Sequence, residues 1–161
     1  WTDMTSPAYV GISEFPVSSP LSFLHPVGFG TLGAAMPAAI GSKIADPEHA
    51  VCVLAGDGGF QFTLQELAVA AEFGMNLPVI VWNDCCYGEI RRHQMRCGDG
   101  RTIAVDQKCI DFHALAGVYG IGGKRITDME QLPPVLEDAF SSDMPTVIDI
   151  KVRECFEKDV R

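Results

Sequence analysis

The chain has 161 residues, enough for one domain with a substantial core and too few for two ordinary ones. Hydrophobic residues make up 47% and charged residues 20%, which excludes a disordered chain, and no apolar run approaches the roughly 20 residues of a membrane-spanning helix. A net charge of −9 excludes nucleic acid as a bulk partner, because a phosphate backbone demands a basic face; one small phosphate group held by backbone amides and a metal ion remains compatible with it.

The chain opens Trp1-Thr2-Asp3 with no Met, no basic n-region and no apolar h-region. No signal peptide is therefore read, and the chain is expected to be cut from a longer protein. Six cysteines (Cys52, Cys85, Cys86, Cys97, Cys109 and Cys155) show no CxxC pair, and the adjacent Cys85 and Cys86 do not readily bond to each other. Thiols in a reduced, cytoplasmic compartment are the expectation.

In chain order, the first 27 residues carry Pro7, Pro16, Pro20 and Pro26 with little periodicity, and read as an irregular approach with one short helix at residues 7–10. Small apolar residues 34–45 predict a closely packed helix, ended at Asp46-Pro47 because proline disfavours the helical region for the residue before it. Residues 51–55 and 79–82 are apolar and rich in β-branched side chains, as in strands buried on both faces. Residues 63–73 have helical spacing, with Thr63 and Glu66 placed as a capping box and Gly74 as the stop. Further helices are expected over 87–95, 111–119 and 128–140, strands over 124–126 and 146–152, and a polar loop over 98–108. Strands alternating with helices predict a single domain over 1–161: a three-layer α/β/α sandwich with a mostly parallel central sheet. Its ligands belong at the carboxyl ends of the strands.

Two unusual segments sit at such ends. Gly56-Asp57-Gly58-Gly59 follows the first strand, and Asn83-Asp84-Cys85-Cys86-Tyr87-Gly88 follows the next. Flanking glycines let the backbone turn sharply and approach a ligand, although Asp-Gly beside a strand also makes a simple turn. If the strand ends are neighbours, Asp57 and Asp84 repel each other unless a cation lies between them. Mg2+ suits such a pair, because it takes oxygen ligands and shares itself between carboxylates and a phosphate.

Gly56-Asp57-Gly58 followed by a helix, a strand and Asn83-Asp84 resembles the thiamine-diphosphate motif, in which GDG precedes NN. Gly28-Phe29-Gly30-Thr31-Leu32-Gly33 with Pro37-Ala38-Ala39-Ile40-Gly41, and the run Phe60 to Leu67, are similar to segments of acetolactate synthases and related 2-oxo acid decarboxylases. The resemblance covers residues 20–150. It implies the carboxyl-terminal, diphosphate-binding domain of a thiamine-diphosphate-dependent enzyme. Mg2+ would then be held by the side chains of Asp57 and Asp84 and the carbonyl of Cys86. The diphosphate would be held around Gly56, Gly58 and Gly59, with Thr31, Tyr87 and Gly88 against the cofactor. The Gly30 carbonyl would meet the aminopyrimidine amine, and Leu32 would be the bulky residue that forces the bent cofactor conformation. Asp84 departs from the usual second Asn and adds a negative charge beside the metal and the diphosphate. The resemblance further implies a 2-oxo acid substrate, a homo-oligomer, and a pyrimidine-binding domain from a partner subunit whose glutamate activates the aminopyrimidine; nothing in this chain matches that domain.

Other readings compete. Gly28, Gly30 and Gly33 fit the dinucleotide fingerprint, but no clear strand precedes them and no acidic residue ends a second strand about 20 positions on, which disfavours an oxidoreductase. Gly98-Asp99-Gly100 follows no strand and reads as a solvated turn. Cys85, Cys86, His93 and Cys97 lack the spacing of a zinc site and read as incidental thiols. Arg91, Arg92 and Arg96 read as a solvated helix face, or else Glu89, Arg92 or His93 faces substrate. His25 and His113 read as structural. A non-catalytic interaction domain that kept the fold is the alternative to the enzyme.

Overall fold

A computed structural model describes residues 1–156; residues 157–161 of the expected domain lie outside the described residues. The elements in chain order are α1 (Ser6–Glu14), α2 (Ala35–Ala45), β1 (Val53–Gly56), α3 (Asp57–Phe60), a 3-10 turn at Leu64–Glu66, α4 (Leu67–Glu72), β2 (Pro78–Asn83), α5 (Gly88–Cys97), α6 (Phe112–Val118), β3 (Gly122–Ile126), a 3-10 turn at Met129–Gln131, α7 (Leu132–Phe140), β4 (Thr146–Lys151) and α8 (Val152–Phe156). The sheet order is β1-β2-β4-β3, and every pairing is parallel. The α/β layering read from the sequence is the observed one.

Period-two alternation divides the sheet between two cores. Val53, Ala55, Val79, Val81 and Val147 face one side, where they pack with residues of α2, α4 and α6. Ile80, Trp82, Ile148 and Ile150 face the other, against Ala139, Leu136 and Leu132 of α7. Burial of both faces explains why β1, β2 and β4 read as continuous apolar runs. β3 is a mostly exposed edge strand carrying Lys124 and Arg125, which guards an open edge against further pairing.

Four local expectations change. α1 runs well beyond residues 7–10, to Glu14. Thr63 does not cap a helix: a 3-10 turn intervenes before α4, and the Thr63 hydroxyl donates to the Gly33 carbonyl at 2.9 Å instead. The N-terminal segment is less irregular than read, since Thr2 bridges to Leu54 in parallel and extends the sheet beyond β1. Finally, Cys85 and Cys109 form a disulfide, with Cα atoms 4.7 Å apart, so they are not the thiols expected. Spacing rules miss this pair because 24 residues separate the two cysteines. No helix among the described residues is long and apolar enough to cross a membrane.

Candidate functional site

Register brings the two unusual segments together. Gly56 is paired with Trp82, so Asp57 and Asp84 leave neighbouring parallel strands at the same edge. Asp57 opens the short turn α3 and is 4% exposed; its Oδ1 accepts the Gly58 amide at 2.9 Å. Burial, and next the Asp84 carboxylate, push the Asp57 carboxyl up to about 7. Burial and the same Asp84 carboxylate raise the Cys86 thiol to about 11, so Cys86 offers no thiolate near neutral pH. The arrangement is a buried carboxylate, Asp57, beside a half-buried one, Asp84, and such a pair calls for a cation or a proton.

The loop after β2 is held from behind. Cys85 adopts a left-handed φ of 61°, a conformation that costs a side-chain-bearing residue energy and persists only where its surroundings impose it. The surroundings are residues 105–109: the Tyr87 amide donates to Val105 at 2.8 Å, the Gln107 amide donates to the Cys85 carbonyl at 2.9 Å, and the disulfide joins Cys85 to Cys109. Gln107 also accepts from Gln61 at 3.1 Å, and Gln61 donates to the Asp57 carbonyl at 3.1 Å, tying the two strand-end loops into one unit. Sequence reasoning found neither glutamine, because their contact spans 46 residues. Gly58 is required by close approach: a Cβ there would lie 2.6 Å from the Tyr87 ring.

A cavity of about 270 Å³ opens over this unit. Gly56, Asp57, Gly58 and Gly59 form its floor, Asp84, Cys86, Tyr87 and Gly88 one side, and Gly30 and Leu32 the other. These are residues singled out in the sequence. Thr31 is exposed and does not line the cavity. Glu89 lines its rim, whereas Arg92 and His93 do not. Arg92 is exposed and bonds to Glu89 and to the Ser6 hydroxyl. His93 lies on an outer groove, with Nδ1 3.8 Å from the Cys97 sulfur. α5 buries no residue, so most of its basic cluster is solvated. His25 bonds to the Thr2 hydroxyl at 2.8 Å. The sequence did not mark out Met4, Thr5, Ser6 and Tyr9, which supply a further wall. The available signal was Ser6-Pro7, a helix start with proline in its first turn, but it says nothing of where the helix points.

Fold and cavity together define an α/β domain whose ligand crevice lies at the carboxyl edge of a parallel sheet, on a glycine-rich turn. Residues 5–150 match the family model described as thiamine pyrophosphate enzyme, C-terminal TPP binding domain, and the chain belongs to that family. It is 38% identical over 151 residues to the probable 2-ketoarginine decarboxylase AruI of Pseudomonas aeruginosa, covering 93% of this chain and 27% of that protein. It is 36% identical over 133 residues to the acetolactate synthase of Bacillus subtilis, covering 83% of this chain and 23% of that one. Among solved structures, the thiamine diphosphate-dependent 4-hydroxybenzoylformate decarboxylase of Rhodococcus jostii superimposes with a TM-score of 0.71 at 32% identity, covering 76% of this chain and 23% of that one. The chain therefore spans about a quarter of the length of the relatives it matches.

Proposed function

We propose that this chain is the part of a larger subunit that binds the diphosphate of thiamine diphosphate through Mg2+, in an enzyme that decarboxylates a 2-oxo acid. The observation that carries the reading is the pair of buried Asp57 and half-buried Asp84 at the ends of adjacent strands, beside a turn whose glycines leave room for a ligand. Two carboxylates, rather than a cluster of three or more acidic or soft side chains, are what the described residues gather there. A pair leaves coordination positions for the Cys86 carbonyl and for phosphate oxygens, the sharing that Mg2+ favours. Bound, the cofactor supplies the carbanion and the electron sink of decarboxylation; the chain supplies position.

Each wall of the cavity then has a task. Asp57 and Asp84 would hold the metal, whose charge would offset the repulsion between the two carboxylates. The glycine turn of α3, which lines the cavity, would carry the diphosphate. Gly30 and Leu32 line the cavity, where the Gly30 carbonyl and the Leu32 side chain would meet the aminopyrimidine. Glu89 at the rim, beside Tyr9, is the residue placed to meet substrate; Arg92 acts on it indirectly by holding Glu89 and Ser6, and His93 is too far out for contact with the cavity.

The charged start of α5 favours a decarboxylase of a less common 2-oxo acid over a pyruvate carboligase. A decarboxylase with a basic 2-oxo acid in its name stands among the relatives, and it supports the same preference. The test is to assay the full-length protein, with its partner subunits, on pyruvate and on longer and basic 2-oxo acids, with Mg2+ and thiamine diphosphate present or withheld. Cofactor-dependent CO₂ release from a longer or basic acid is expected. Turnover confined to pyruvate condensation overturns the substrate preference, and no turnover of any 2-oxo acid by a cofactor-loaded protein returns the reading to a non-catalytic interaction domain.

A further inference from the structure

Asp3 is an acidic residue buried behind the cavity wall, next to Met4, which lines it, and has no part in the reading above. It is 1% exposed. Its own amide donates to the Leu54 carbonyl at 2.7 Å, and the Leu54 amide donates to Trp1 at 2.9 Å, so the sheet fixes its backbone at the side of β1. One carboxylate oxygen accepts the Met4 amide at 3.0 Å, and the other accepts the Gly33 amide at 2.6 Å. The latter contact joins residues 30 positions apart. A Cβ on Gly59 would lie 2.7 Å from the same oxygen, so the carboxylate also rests on the turn that forms the cavity floor. Three walls therefore meet at one side chain: the start of α1 with Met4, Thr5 and Ser6, the floor at Gly59, and the loop carrying Gly30 and Leu32.

The partner of Asp3 in that loop is anchored on both sides. Gly33 has a φ of 82°, its amide is held by Asp3, and its carbonyl accepts the Thr63 hydroxyl at 2.9 Å. Leu32 precedes Gly33 directly, so the height of Leu32 above the floor follows from these two bonds. A charged acceptor makes shorter and stronger bonds to backbone amides than a neutral one. That strength is what justifies burying a carboxylate where an amide or hydroxyl would fit.

The geometry points to Asp3 as a positioning residue for the reaction: through the Gly33 amide it sets the distance between the Gly30–Leu32 wall and the diphosphate floor, and so the bend of the bound cofactor. This rests on the thiamine-diphosphate reading. Diphosphate binding at the floor should then be less sensitive to Asp3 than the reactivity of the cofactor's C2 position. Asparagine at this site keeps the size and one acceptor but turns a donor toward one of the two amides, which loosens the loop without emptying the core.

The experiment uses the full-length assembled protein and its Asp3→Asn variant. Three quantities are read: thiamine diphosphate affinity by calorimetry with Mg2+, the deuterium exchange rate of the bound cofactor's C2 proton by quenched NMR, and the split between kcat and KM. The expected result is affinity within a few-fold of the unaltered protein, C2 exchange and kcat lower by roughly 10- to 100-fold, and KM little changed, since small misplacements near the reacting atoms act at that scale. Unchanged exchange and kcat in a cofactor-loaded variant overturn the proposal. So does a fall in affinity as large as the fall in exchange, which would make Asp3 a general support of the fold. If Asp3→Asn does not fold, Thr63→Val decides: it cuts the other anchor of Gly33 and should slow exchange in the same sense, and an unchanged rate there overturns the proposal. Failure of the unaltered protein to bind thiamine diphosphate would instead sink the underlying reading.

Discussion

Two buried carboxylates in this molecule have opposite surroundings. Asp149, in β4, is fully buried and meets Lys151 at 2.9 Å, the Asn83 amide group at 2.9 Å and the Phe112 amide at 3.2 Å. Asp57, at the end of β1, is almost as buried, yet its charged neighbour is another carboxylate, Asp84. Asp149 is complete within the chain and ties α6 to the sheet. Asp57 is held in a state that only a proton or an external cation relieves. The difference separates structure from site more sharply than burial does. It also assigns the two halves of the Asn83-Asp84 pair, because Asn83 faces inward to Asp149 and the Ile110 carbonyl while Asp84 faces the cavity.

The largest expected effect comes from breaking the complete network. Asp149→Ala takes the counter-ion from Lys151 and the acceptor from the Phe112 amide, leaving Lys151 and Asn83 only the Ile110 carbonyl, and should lower the unfolding free energy by about 3–5 kcal/mol, the cost typical of removing one partner of a buried pair. Denaturant titration measures it, and a loss below about 1 kcal/mol would mean that water takes over these partners. Next in size is the Cys85–Cys109 disulfide. Closing a loop of this length is worth about 3 kcal/mol, so a dithiol reductant should lower the denaturant midpoint of the metal-free protein and should leave a Cys85→Ser, Cys109→Ser double variant unmoved.

A smaller effect of opposite sign is expected at Asp57. With its carboxyl raised from 3.8 to about 7, the folded metal-free protein keeps a proton that the unfolded chain has released. This contribution to stability is full below pH ~4 and is lost as pH rises through about 7. Asp57→Asn removes the slope and should stabilise the metal-free protein at pH 8, on the order of 2 kcal/mol, whereas Asp149→Ala destabilises at every pH. Unfolding curves between pH 5 and 8 (roughly the range over which such a group titrates) check both, and a destabilising Asp57→Asn would show that Asp57 is as structural as Asp149.

The Asp57 side of this contrast was legible in the sequence, whereas Asp149, inside the strand expected over 146–152, drew no reading. β1, β2 and β4 announce themselves as apolar runs because both faces of the sheet are covered, and Asp57 and Asp84 stand out because two acidic segments directly follow two such runs in the order of a known motif. Asp3, Thr5 and Tyr9 were not legible. They lie in a segment without periodicity, and Asp3 gains its meaning from Gly33, a contact that composition and spacing do not reveal. Thr63 was misread because the same hydroxyl that suits an N-cap also suits a distant carbonyl; local propensity lost to a tertiary partner. Cys85 and Cys109 were misread because the turn that brings them together belongs to a loop with no regular structure.

We propose that the Asp57–Asp84 pair holds the cation through which thiamine diphosphate binds. Calorimetric titration of thiamine diphosphate into the full-length protein tests it most directly, first with Mg2+, then with EDTA, and alongside Asp57→Ala. Binding should require both the metal and Asp57. Equal binding in EDTA, or by the Asp57→Ala variant, would contradict it.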